Sequence, residues 1–140
     1  MAVIKANNND LRLIARLIRA EAEEDGNQGM LAAGTVMVNR VRFPCSDFED
    51  IRTVEQMVFQ TPAGFEATEK GYFYQRARDR EINLARRLVR GERQSPATRS
   101  LWFFRPNGEC PPDWFGQPFA GQFKSHCFYD PLYDECPEMY

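Results

Sequence analysis

The chain has 140 residues, 43% of them hydrophobic and 27% charged, which suits one compact, soluble domain with its own core. Its formal charge of −2, from 18 basic and 20 acidic residues, argues against a protein that holds nucleic acid by a strong positive field. Residues 1–10 lack the apolar core of a secretion signal. No run approaches the ~20 apolar residues of a membrane helix, so synthesis in the cytoplasm without membrane insertion is expected.

A polar lead-in precedes a first helix, DLRLIARLIRAEAEEDG, for which Asp10 is the expected N-cap and Gly26 the expected stop. Leu11, Ile14, Leu17 and Ile18 recur at helical spacing and form an apolar stripe. Glu21 lies three residues after Ile18 and four after Leu17, so it continues that stripe. A carboxylate on the buried side of a helix is costly to ionise, and desolvation raises its pKa. Asn27–Arg42 reads as a second helix, with Met30, Ala33, Met37 and Val41 on one stripe. The small run Ala32-Ala33-Gly34-Thr35 lets another helix approach closely, and tight packing against the first helix is expected. Phe43-Pro44 ends it.

Thr53 is the expected N-cap of a short helix reaching Gln60, and Thr61-Pro62-Ala63-Gly64 breaks the chain. Residues 65–75 are aromatic and irregular. Asp79 opens another helix, with Ile82, Ala85, Leu88 and Val89 inward and Gly91 as its cap. Its arginines (Arg80, Arg86, Arg87, Arg90, Arg93) make either a solvated face or a surface for an anionic partner. Leu101–Phe104 is of strand type, and His126–Tyr129 could pair with it as a hairpin-like unit. Eleven of the eighteen aromatic residues fall in the last forty positions, where they serve as core or as platforms for sugar rings. The expected class is therefore mainly α, with a small β or irregular aromatic-rich C-terminal part, in one domain over residues 1–140.

Few residues offer chemistry. Glu21 has the environment a general acid needs; the alternative is a carboxylate in a structural ion pair. His126 is the only histidine and could serve as a base, contact a substrate or position a loop. Cys45 or Cys110 paired with His126 would give a cysteine nucleophile, but nothing around either suggests an activated thiolate. The four cysteines (Cys45, Cys110, Cys127, Cys136) contain no CxxC, which argues against a zinc site. They are free thiols, or include a disulfide among Cys110, Cys127 and Cys136 in an oxidising location. Phosphate-binding glycine loops, HExxH and EF-hand patterns are absent, so no cofactor and no metal are expected.

Four ordered segments then carry a resemblance: LIARLIRAEAEEDGNQGMLAAGTVMVNRVRFP, VEQMVFQ, SLWFFRPNG and SHCFYDP. Together they resemble the SleB/CwlJ family of spore cortex-lytic cell-wall hydrolases over residues 11–131. The short chain is similar to the CwlJ branch. The resemblance implies a lysozyme-like catalytic domain that cleaves the glycan strands of spore-cortex peptidoglycan during germination. It implies Glu21 as the catalytic glutamate, with Asp25, Glu66, His126 and Tyr129 as substrate-binding residues. Glu66 stands where relatives carry a hydroxyl. If Glu66 or Asp25 faces Glu21, water can be activated for simple hydrolysis; with Glu21 alone, an anhydro-muramic product forms as in lytic transglycosylases. The resemblance further implies assembly from the mother cell onto the coat–cortex boundary, with a spore-coat partner of the GerQ type. The rival expectation from another class is a non-catalytic coat scaffold.

Overall fold

The structure, a computed structural model, describes residues 2–60 and 64–140. The expected break at Thr61, Pro62 and Ala63 lies outside them. Four helices, α1 (Asn8–Ala22), α2 (Gly26–Arg42), α3 (Val54–Val58) and α4 (Asp79–Val89), precede four strands, β1 (Trp102–Phe104), β2 (Asp113–Trp114), β3 (Gln117–Phe123) and β4 (His126–Tyr129). Short 3-10 turns fill the joints, among them Glu23–Asp25, Glu66–Glu69 and Gly71–Tyr74. Among the described residues no helix is long and apolar enough to cross a membrane.

The first helix begins earlier than Asp10. Asn7 is the N-cap and accepts from the Asp10 amide at 2.9 Å, while the Asp10 carboxylate accepts from the Asn7 amide at 3.0 Å. Asp10 is thus the third residue of a capping box, which satisfies two free amides reciprocally. The lead-in is docked as well: Ile4 is buried in the core, and the Val3 amide donates to the Val89 carbonyl at 2.8 Å. Gly26 does take a positive φ of 77°, but it opens α2 directly after a 3-10 turn.

α2 is covered on every side, with Gly29 through Val41 all buried. The sequence suggests one packed stripe; instead α1, α3, α4 and β1 surround the helix. The expected close approach occurs at Gly34. A Cβ built there would lie 2.2 Å from Leu88 Cδ1 on α4 and 3.2 Å from Ile18 Cγ2 on α1. The α4 arginines behave as a solvated face: Arg80, Arg86, Arg87 and Arg90 are exposed, and Arg87 pairs with Glu92.

Two polar residues of α2 hold the segment that leads into the sheet. Asn39 Nδ2 donates to the carbonyls of Ser100, Thr98 and Ala97 at 3.0, 3.3 and 3.5 Å, and Arg40 Nε donates to that of Leu101 at 2.8 Å. The sheet is antiparallel with order β1-β4-β3-β2. β1 and β4 pair as expected, with Trp102 opposite Tyr129. They are not a hairpin, because the β2–β3 hairpin is interposed in the chain and β3 pairs with β4. That hairpin turns through Phe115 and Gly116, both with positive φ. A two-residue turn of this hand matches strand twist, but the sequence signal is masked by an aromatic residue at the first turn position and by Pro118 in β3.

The cysteines are all paired, as Cys45–Cys136 and Cys110–Cys127. The first ties the turn after α2 to the C-terminal segment, and the second ties the approach to β2 onto β4. The Cys110–Cys127 bridge is a disulfide of the expected set, whereas the free-thiol alternative does not hold and the Cys45–Cys136 bridge was not expected. Cys45, Cys136 and Glu138 do converge, but two sulfurs bonded to each other offer no thiolate to a metal.

Gly34→Val is expected to lower the unfolding free energy by roughly 1–3 kcal/mol, because the added methyls meet Leu88 and Ile18 in a filled core. Urea denaturation of the variant against the parent chain measures this.

Candidate active site

The end of α1, the turn after α3 and the edge of the sheet enclose a cleft of about 610 Å³. Glu21, in the last turn of α1, and Glu66, in the 3-10 turn Glu66–Glu69, both line it. Phe103 and Phe104 from β1, Trp114 from β2 and His126 from β4 supply the opposite side, and Arg105 sits at the rim. The aromatic rings form one stack: Phe104 and Trp114 have centroids 4.4 Å apart, and Phe104 stacks on Tyr129 at 5.7 Å.

Glu21 is half-buried and its pKa is raised above the ordinary carboxylate value. Burial is the main cause, and the Glu66 carboxylate adds to it. The Arg40 guanidinium, the Ala67 backbone amide and Arg105 oppose the shift without cancelling it. Arg40 lines an adjoining cavity that shares Gly64, Phe103 and Trp114 with the cleft; it is nearly enclosed, with its guanidinium 4.2 Å from the Phe48 centroid and 4.6 Å from that of Phe65. Burial brings its own pKa down to about 9, against the pull of Glu21 and Asp47. Glu66 is exposed and, among the described residues, has no hydrogen-bond or ion-pair partner.

Of the residues singled out from sequence, Glu21, Glu66 and His126 are brought together. Two are placed elsewhere. Asp25 is 4% exposed and accepts from Ser125 Oγ at 2.8 and 2.9 Å and from His126 Nδ1 at 2.7 Å. It lies behind the cleft wall, where a substrate cannot reach it. Burial works to raise its pKa, yet the hydrogen bonds from His126 and Ser125 hold it below the usual range. Tyr129 is fully buried. Its ring fills the sheet core and its hydroxyl donates to the Pro111 carbonyl at 2.8 Å, so it supports the aromatic wall from behind. A cysteine nucleophile is excluded, since Cys45 and Cys110 are both in disulfides. Sequence reasoning missed Arg40, Arg105 and the paired platform of Phe104 and Trp114. Arg40 carried a signal: a charge within an Ala/Val-rich helix that has no polar face around it.

Residues 24–129 match the family model described as Cell Wall Hydrolase. The chain belongs to the cell wall hydrolase family. It is 62% identical over 140 residues to cell wall hydrolase CwlJ of Halalkalibacterium halodurans, covering 100% of this chain and 98% of that protein. It is 56% identical over the same span to cell wall hydrolase CwlJ of Bacillus subtilis. A more distant relative is the spore cortex-lytic enzyme of Bacillus subtilis, 25% identical over 122 residues that make up 87% of this chain and 38% of that one. Among solved structures, the catalytic domain of the germination-specific lytic transglycosylase SleB from Bacillus anthracis superposes with a TM-score of 0.69 at 21% identity, over 89% of this chain and 97% of that chain. The fold of this cell wall hydrolase is therefore the lysozyme-like one expected, with a small antiparallel sheet added.

The raised pKa of Glu21 has a consequence for stability. A carboxyl whose folded-state pKa lies above its unfolded value stabilises the protein below that unfolded value, and the contribution is lost as pH rises through the folded pKa. Glu21→Gln is therefore expected to be more stable than the parent hydrolase at neutral pH. The difference should shrink as pH falls into the ordinary carboxylate range. Urea denaturation across that pH interval checks the sign.

Proposed function

We propose that this hydrolase cleaves the glycan strands of spore-cortex peptidoglycan during germination, with Glu21 as general acid. The observation that carries the proposal is a half-buried carboxyl with a raised pKa at the floor of an aromatic-walled cleft. It agrees with what its relatives are called: cell wall hydrolase, spore cortex-lytic enzyme and germination-specific lytic transglycosylase. In this scheme protonated Glu21 donates to the oxygen between N-acetylmuramic acid and N-acetylglucosamine as the glycosidic bond breaks, and an oxocarbenium-like state develops on the muramic ring. Glu21, now a carboxylate, takes the proton of the muramic 6-hydroxyl as that oxygen bonds to C1. The product is a 1,6-anhydro-muramic end, and Glu21 is protonated again.

A second scheme has one specific observation behind it: Glu66 lines the same cleft and no protein group pairs with it among the described residues. Glu66 would activate water, which adds to C1 and leaves a reducing end. Asp25 does not compete for this role, since both its oxygens are occupied behind the wall. We favour the single-glutamate route. The protein would act at the boundary of coat and cortex, reached from the mother cell and held by a coat protein.

On isolated cortex, Glu21→Gln is expected to lose about 10²–10⁴-fold in lytic rate while remaining folded, the contribution usual for a general acid. A folded variant that keeps its lytic rate removes Glu21 from the role and favours a scaffold. Mass spectrometry of the released glycans separates the two schemes. Anhydro ends that persist in Glu66→Gln support the single-glutamate route; reducing ends carrying added water, lost in Glu66→Gln, replace it with hydrolysis.

A further inference from the structure

The chain's one histidine sits in an environment built around it. His126 is 4% exposed and reaches the cleft beside Glu21 and Glu66. Its Nδ1 lies 2.7 Å from Asp25 Oδ2. Asp25 is held from several sides: Ser125 Oγ donates to both its oxygens, and Lys124 Nζ donates to its backbone carbonyl at 3.2 Å. Space for the carboxylate comes from Gly29, where a Cβ would lie 2.2 Å from Asp25 Cβ.

This geometry decides which ring nitrogen carries the proton. Asp25 is kept ionised by its hydrogen bonds, and an ionised carboxylate only accepts. Nδ1 must therefore be the N–H, and in the neutral ring Nε2 bears the lone pair. Among the described residues Nε2 has no hydrogen-bond partner, and it is not one of the unpaired polar atoms sealed from solvent. The ring plane is set by Phe103, edge-on at 5.4 Å. A carboxylate used only to latch the end of α1 to the β3–β4 turn would need nothing of the other nitrogen; here that nitrogen belongs to the cleft.

We propose that Asp25 is a positioning residue, holding His126 as the Nδ1–H tautomer so that Nε2 presents a hydrogen-bond acceptor to a donor group of the glycan, a sugar hydroxyl or an acetamido N–H. The proposal rests on the glycan-cleaving function above. It gives Asp25 a task at the cleft although it touches no substrate.

Because no other histidine is present, the ring-nitrogen NMR spectrum of the ¹⁵N-labelled Glu21→Gln protein reports His126 alone. In slightly alkaline buffer the free protein is expected to show Nδ1 protonated and Nε2 bare. Saturation with a soluble tetrasaccharide of alternating N-acetylglucosamine and N-acetylmuramic acid should move the Nε2 resonance in the sense of an accepted hydrogen bond. Adding Asp25→Asn should mix the tautomers and weaken tetrasaccharide binding roughly five- to tenfold, the loss of one oriented hydrogen bond. A free protein with Nε2 protonated overturns the proposal. So does a tetrasaccharide that shifts the Trp114 indole and leaves His126 unmoved, and in that case the glycan-cleaving function stands. A tetrasaccharide that moves neither group removes that function and this proposal together. The first two measurements keep Asp25 intact, so they decide the matter even where Asp25→Asn does not fold.

Discussion

A helix buried on all sides has no solvent in which to hide a polar group, and α2 carries three, Thr35, Asn39 and Arg40. The rest of the structure depends on how they are satisfied. Asn39 takes up the carbonyls of Ala97, Thr98 and Ser100, and Arg40 takes that of Leu101. An unpaired buried polar group is costly; Arg40 Nη1 has no partner among the described residues, but the bonds made by Asn39 Nδ2 and Arg40 Nε fix where the chain enters β1. β1 in turn sets the position of β4, and with it the aromatic wall. The other end of α2 abuts the 3-10 turn that follows Glu21. One central helix thereby sets both sides of the cleft, the acidic side through its start and the aromatic side through its end.

The electrostatics of the cleft are a contest between burial and two cations, Arg40 first and Arg105 after it. Desolvation favours the neutral carboxyl of Glu21, and the nearby Glu66 carboxylate acts in the same direction. Arg40 acts against both from the adjoining cavity. Its guanidinium is stacked between Phe48 and Phe65, where ring faces stabilise a cation that water no longer reaches. A cation held this way forms no direct ion pair with Glu21, so it limits the rise in the carboxyl's pKa without claiming its oxygens. Proton donation needs that balance, since a carboxyl paired directly with arginine would stay ionised.

The helical half of the fold was legible in the sequence because it is written in period. The α1 stripe led to Glu21, and the small run on α2 led to the contact at Gly34. Thr53 as a cap and Gly91 as a stop are local signals of the same kind. The sheet was legible only where apolar runs were uninterrupted, at β1 and β4. β2 and β3 were hidden by Pro118, and by a turn that puts Phe115, 86% exposed, in a conformation usually left to Asn or Gly. At the candidate site, family motifs identified the right neighbourhood but not the direction of each side chain. Asp25 and Tyr129 stand within the motifs and point away from the cleft, one into a buried hydrogen-bond cluster and one into the core. A linear motif records proximity along the chain; which face a residue presents is decided by the turn Glu23–Asp25 and by strand register.

The close fit of Gly29 against Asp25 also bears on how such a chain can change over time. With a side chain at position 29, its Cβ would lie 2.2 Å from that of Asp25, far inside contact distance. Any larger residue there must displace Asp25, and a displaced Asp25 releases His126. The order of substitutions is therefore constrained: position 29 can grow only after position 25 has been emptied. Drift through small intermediate steps meets a barrier on that path. Two buried positions one helical turn apart become, for this fold, a single inherited unit.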